Sequence, residues 1–242
     1  MTWTVHEGDA LSILDQLPVT SIDAVIADPP YNSGGRTPTE RTGRSSRDKY
    51  VSGHNGNGTA HGLADFAGES RDQRGYVAWL GVILSKCLHA TRPGGAALVF
   101  TDWRQLSVTT DALQVGGWTL RGIAVWHKPI ARPQPGRLRQ ECEFIVWGSN
   151  GPMHPGADPV YLPGLYSASQ PRGTERQHIT QKPLDVMRQL VRIVPEGGTV
   201  LDPFAGSGTT GVAALTEGRN FVGCEITPHY AAIARPRLAE AA

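Results

Sequence analysis

A chain of 242 residues, 39% of them hydrophobic, is long enough for one α/β domain with a substantial core and short for two. Its net charge of +1 excludes a strongly basic or acidic protein, and its three cysteines, Cys87, Cys142 and Cys224, lie far apart without a Cys-x-x-Cys pair, which argues against a disulfide framework or a zinc site. No basic segment followed by an apolar core opens the chain, and no apolar run reaches membrane length, so a cytoplasmic setting is expected.

In chain order, apolar runs predict strands at 3–7, 23–28, 95–101, 120–126, 143–148, 199–202 and 220–225. Helical patterns fall at 76–90, 184–194, 208–217 and 228–239; Pro183 suits the first turn of the second, and Pro195 stands beyond its end. Strands alternating with helices predict an α/β fold: a Rossmann-like, seven-stranded, mostly parallel sheet with helices on both faces, in one domain spanning 1–242.

The second strand runs into Ala27-Asp28-Pro29-Pro30-Tyr31. Two prolines stop the ladder, since neither has an N–H to give, and they leave the Asp28 and Pro29 carbonyls without ladder partners, beside the Asp28 carboxylate and the Tyr31 ring. Two acceptors and a ring suit an exocyclic amino group on a flat base. Asp-Pro-Pro also ends many strands in ordinary turns, so the segment alone does not decide.

Residues 32–75, rich in Gly, Ser, Thr, Arg and Asn, far exceed an ordinary strand-to-helix loop and are expected to be mobile and to contact DNA. Arg36, Arg41, Arg44, Arg47 and Lys49 outnumber their neighbours Glu40 and Asp48, and Arg132, Arg137 and Arg139 form a second basic cluster. Either cluster reads equally well as a phosphate-binding patch or as a solvated polar loop. Residues 150–178, rich in Pro and Gly, are expected to form a small target-recognition insertion. Trp103 and Trp126 are expected to be rim or core aromatics, and the eight histidines show no ligand spacing, so no metal is expected.

Near the carboxyl terminus stands Asp202-Pro203-Phe204-Ala205-Gly206-Ser207-Gly208-Thr209-Thr210-Gly211, with Glu225 at the end of the next strand. Gly206, Gly208 and Gly211 satisfy the dinucleotide fingerprint and Glu225 sits where a ribose-binding acid belongs, so an NAD-binding oxidoreductase is a rival reading. Asp202 discriminates between the two. A carboxylate just before the loop would repel a pyrophosphate but attract a ligand bearing a cation.

Asp28-Pro29-Pro30-Tyr31 resembles the catalytic tetrapeptide of the amino-group DNA methyltransferases, and the glycine loop resembles their S-adenosylmethionine loop. The target-base motif precedes the cofactor loop, which is the permuted order of that family's beta class. The resemblance implies a site-specific methyltransferase with Asp28, Pro29, Pro30 and Tyr31 as catalytic residues. It implies that S-adenosylmethionine is held by Asp9, Ala10, Asp28, Thr180, Gln181, Lys182, Asp202, Pro203, Phe204, Ala205, Gly206, Ser207, Gly208, Thr209 and Glu225. Thr180, Gln181 and Lys182 enter through His178-Ile179-Thr180-Gln181-Lys182-Pro183, where Ile179 replaces the family's proline. Asp9 enters through Glu7-Gly8-Asp9-Ala10-Leu11, which reads equally as an ordinary helix cap.

The resemblance further implies double-stranded DNA as partner, and leaves open a cognate restriction endonuclease. Asp at the first motif position favours N6 of a flipped-out adenine, with N4 of cytosine as the alternative. Related tetrapeptides also occur in enzymes that methylate RNA or a protein amide, and a non-catalytic DNA-binding module would leave Asp28 and Tyr31 unexplained.

Overall fold

The computed structural model describes residues 1–31, 71–131, 133, 135–153, 159–171 and 181–242. Its strands are β1 (Trp3–Glu7), β2 (Ile22–Ala27), β3 (Thr91–Thr101), β4 (Thr119–His127), β5 (Cys142–Ser149), β6 (Leu165–Ser167), β7 (Thr199–Asp202) and β8 (Asn220–Glu225). The helices are α1 (Ala10–Leu14), α2 (Gln73–Ala90), α3 (Leu106–Val115), α4 (Leu184–Val191), α5 (Thr209–Thr216) and α6 (Pro228–Ala241). Among the described residues, no helix is long and apolar enough to cross a membrane.

One mostly parallel sheet runs in the order β1-β8-β7-β2-β3-β5-β4-β6. Only β5 opposes its neighbours, pairing antiparallel with β3 and with β4. Beyond the seven predicted strands, the sheet gains a short eighth, β6, which lies within 150–178 and pairs parallel with β4 through Val125–Leu165 and Trp126–Tyr166. Trp126 adds a hydrogen bond from Nε1 to the Ala168 carbonyl at 2.8 Å, so this part of the insertion is fastened to the sheet.

Alternation along the central strands builds two cores, because successive side chains point to opposite faces. Ala24 and Ile26 of β2 pack with Phe100, Val186, Leu190, Phe221 and Leu238 on the face covered by α4, α5 and α6. Val25 and Ala27 pack with Leu80, Leu84, Leu113 and Leu201 on the face covered by α1, α2 and α3. Helix α3 escapes the sequence pattern: Val108, Thr109 and Thr110 are β-branched and Gln105 supplies no side-chain cap, so its stability comes from packing rather than propensity.

Two local features set the register. Asp23 accepts the Thr199 N–H at 2.6 Å and pairs with Arg92, tying β2 to both neighbouring strands. Between Ile22–Thr91 and Ala24–Ala96 the pairing shifts, so β3 starts earlier than expected and bulges at 92–95. β1 closes beside β8 through Trp3–Phe221 and Glu7–Glu225, which brings the two ends of the chain together as the permuted order requires.

Gly211 shows the third fingerprint glycine at work. A Cβ there would lie 2.6 Å from the buried Phe221 ring and 2.5 Å from Leu238. Gly211→Ala is expected to destabilise the protein by about 1–3 kcal/mol through overpacking between α5, β8 and α6. Urea unfolding would measure it, and an unchanged midpoint would mean that the helices have room to part.

Candidate active site

The chain order reverses between β7 and β2, and the carboxyl ends of β1, β2, β7 and β8 meet there. This is the crevice in which open α/β sheets bind ligands. It opens as a cavity of about 520 Å³, within the roughly 300–1,000 Å³ usual for small-molecule sites. The same cavity receives Asp28 to Tyr31 from the end of β2, Gln181 and Lys182 from before α4, Asp202 to Ser207 and Thr209 from the loop after β7, Glu225 from β8, and Asp9 and Ala10 from the start of α1. Gly208 is absent from the lining: it caps α5 at φ +82° beneath the loop, where a Cβ would lie 3.0 Å from Ala234. His178, Ile179 and Thr180 lie outside the described residues.

The glycine loop is built around two carboxylates. Asp202, 2% exposed, accepts the Phe204 N–H at 2.9 Å and the Thr210 hydroxyl at 2.5 Å. Burial pushes its pKa to about 7, against the pull of those two donors. Glu225 accepts the Gly206 N–H at 2.8 Å and the Thr227 N–H at 2.8 Å, and burial raises its pKa as well. Gly206 takes φ +51°, a turn that glycine enters without strain. The Ala205 and Gly208 N–H groups go to the Cys224 and Ala205 carbonyls.

The loop therefore spends the N–H groups of Phe204, Ala205, Gly206 and Gly208 inside the protein and lines the cavity with acids. That suits a ligand carrying positive charge and a diol better than a pyrophosphate, which needs N–H donors and no carboxylate. Phe204 and Trp79 form a wall, their rings 5.6 Å apart, with the Arg71 guanidinium 4.2 Å above Trp79. Asp9 caps α1 by accepting the Leu11 N–H at 3.3 Å and also lines the cavity, so capping and ligand contact are compatible.

Opposite the loop stands a second set of charges. Lys182 Nζ lies 2.6 Å from Asp28 Oδ2 and 3.5 Å from Glu143 Oε2, and is 5.1 Å from the Tyr31 ring and 5.2 Å from the Phe100 ring. Glu143 also accepts the Tyr31 hydroxyl at 3.0 Å and pairs with Lys128 at 3.0 Å. Burial raises the pKa of Asp28, with Lys182 pulling the other way. For Glu143 burial is outweighed by Lys182 and Lys128, which bring it below the usual range. Burial would lower the Lys182 pKa, but Asp28 and Glu143 together raise it.

Sequence reasoning placed Lys182 among cofactor ligands and passed over Glu143 and Lys128. Its one available signal was a single charge, Glu143, at the head of the apolar strand Phe144-Ile145-Val146-Trp147.

The basic clusters fare differently. Arg36, Arg41, Arg44, Arg47 and Arg132 lie outside the described residues. Arg137 and Arg139 are exposed between β4 and β5, and Arg139 pairs with Glu141 at 3.3 Å. Gln140 of this connection and Gln170 of the insertion reach the cavity. Trp103, 54% exposed, stands at the rim, and Trp126 is fully buried.

A family model described as DNA methylase matches residues 22–236. YubD of Escherichia coli strain K12, named as a methylase, is 26% identical over 96% of this chain and 88% of its own. The crystal structure of the M1.HpyAVI-SAM complex is 25% identical, with a TM-score of 0.68 over 98% of this chain and 99% of its own. The cytosine-N4-specific PvuII DNA methyltransferase shares the fold at 19% identity, with a TM-score of 0.72 over 98% of this chain and 86% of its own.

Proposed function

The chain belongs to the DNA methylase family, and we propose that it methylates N6 of an adenine flipped out of double-stranded DNA, using S-adenosylmethionine. One observation carries this reading: the Asp28 carboxylate and the Tyr31 ring face the same cavity as the acid-lined glycine loop. The residues present fit the methyl donor. Asp202 and Glu225 suit its cation and its ribose hydroxyls, and the Phe204 wall suits its adenine.

Bound there, S-adenosylmethionine supplies an electrophilic methyl group on a sulfonium. The remaining work falls to the chain. A base within a duplex cannot reach the cavity, so it must leave the stack, and Tyr31 offers its ring as the new stacking partner. Asp28 and the Pro29 carbonyl accept the two amino hydrogens, which turns the nitrogen lone pair out of conjugation with the ring. Asp28 has acceptor capacity beyond the lone pair taken by Lys182. As positive charge grows on the nitrogen, the fixed carboxylate stabilises it and then takes the proton. Arg36, Arg41, Arg44 and Arg47, together with Arg132, Arg137 and Arg139, would neutralise phosphates around the opening.

Cytosine N4 presents the same two donors, and adenine is preferred because Asp, rather than Ser, opens the tetrapeptide. Incubation with labelled S-adenosylmethionine and mixed-sequence DNA, followed by digestion to nucleosides, is expected to yield N6-methyladenine. Label only on N4-methylcytosine would move the assignment to the other base, and label on neither would overturn the reading.

A further inference from the structure

We propose that Glu143 is a positioning residue for methyl transfer, acting on Asp28 through Lys182 and on the base-stacking ring through the Tyr31 hydroxyl. The inference rests on the function proposed above. Glu143 is the second residue of β5, paired across the sheet with Trp126, and the residue is 8% exposed. A buried carboxylate is costly unless paired, and apolar residues of similar volume often serve the fold as well or better. Here the partners are two groups that face the reacting base, Tyr31 at 3.0 Å and Lys182 at 3.5 Å, and the balancing Lys128 at 3.0 Å.

The arrangement settles how Lys182 can stand beside Asp28 without disabling it. Lys182 donates to Asp28 at 2.6 Å, on the carboxylate that must accept the amino hydrogens. Alone, such a pair would neutralise the acceptor. Glu143 draws on the same ammonium from the other side, and Lys128 offsets the second negative charge, so the four groups sum to zero while Asp28 keeps basicity. Tyr31, held at its hydroxyl, presents its ring at a fixed angle without needing solvent beneath it.

The charges give the test a sign. Removing the Glu143 charge relieves its repulsion of Asp28 and leaves Lys182 wholly to Asp28, so Asp28 should titrate at lower pH. Removing the Lys128 charge leaves Glu143 to compete harder for Lys182, so Asp28 should titrate at higher pH. Single-turnover methylation by wild type, Glu143→Gln and Lys128→Met would be followed against pH, with cofactor affinity from calorimetry and folding from thermal melts.

Glu143→Gln is expected to slow transfer by about 10- to 100-fold, the range seen when partners that orient metal-ligating side chains are removed, with cofactor affinity unchanged. Its acid limb should move to lower pH, and that of Lys128→Met to higher pH. Acid limbs that stay at the wild-type position in both variants, however slow the variants are, would overturn the proposal and leave Glu143 a structural residue. Should Glu143→Gln fail to fold, Lys128→Met decides alone by the same criterion. Wild-type protein that binds the cofactor yet methylates no amino group would instead refute the function on which the proposal rests.

Discussion

Replacing Asp28 by alanine is expected to slow methyl transfer by about 100- to 1,000-fold, the usual cost of removing one preorganised group that stabilises transition-state charge, while cofactor affinity stays near wild type. The separation follows from the geometry. Asp28 pairs with Lys182, whereas the cofactor loop is organised by Asp202 and Glu225 with their own donors. Alanine would not strand Lys182, because Glu143 lies 3.5 Å from it and can take the charge. The fold should therefore persist, and calorimetry with S-adenosylmethionine beside a turnover assay would separate binding from chemistry. Activity close to wild type would reduce Asp28 to a residue that merely ends its strand.

That a single carboxylate can be singled out from the sequence reflects how local its signals are. Pro29 and Pro30 must stop β2 wherever the chain folds, and Gly206 and Gly208 turn at positive φ, which glycine enters without strain, so the two loops announce themselves in one dimension. The parallel sheet is legible for the same reason, since its strands are continuous apolar runs. Helix α3 was not, because its β-branched residues owe their conformation to packing between α2 and the sheet. Strand β6 has only three residues and exists because β4 offers an edge.

The charge network was least legible of all. Lys128, Glu143 and Lys182 stand on three separate segments, and their roles depend on which of them meet across the cavity. The segment before α4 indicated a cofactor contact for Lys182, and the fold, while keeping that residue in the cavity lining, also sets its ammonium against Asp28. A motif reports the company a residue keeps in sequence, while a buried ion reports its neighbours in space.

Asp202 offers the second large effect, on stability rather than rate. Its folded pKa of about 7 stands above the ordinary value of 3.8, so between those limits the folded chain holds a proton that the unfolded chain has released. Stability falls with rising pH wherever the folded state binds more protons, so Asp202 is harmless below about pH 4 and progressively destabilising up to neutrality. A shift of this size corresponds to a cost on the order of 4 kcal/mol above pH 7, an upper figure because local relaxation reduces it. Asp202→Asn keeps an oxygen for the Phe204 N–H, and Thr210 can turn its hydroxyl to accept from the new amide. The variant should match wild type near pH 4 and exceed it by a few kcal/mol at pH 8 in urea titrations. A ligand cation beside the loop would favour the ionised carboxylate, so S-adenosylmethionine affinity should climb with pH through neutrality in wild type and stay flatter in the variant. Parallel stability curves for the two proteins from pH 4 to 8 would show that Asp202 is ionised throughout, and that the loop holds its negative charge without help from a ligand.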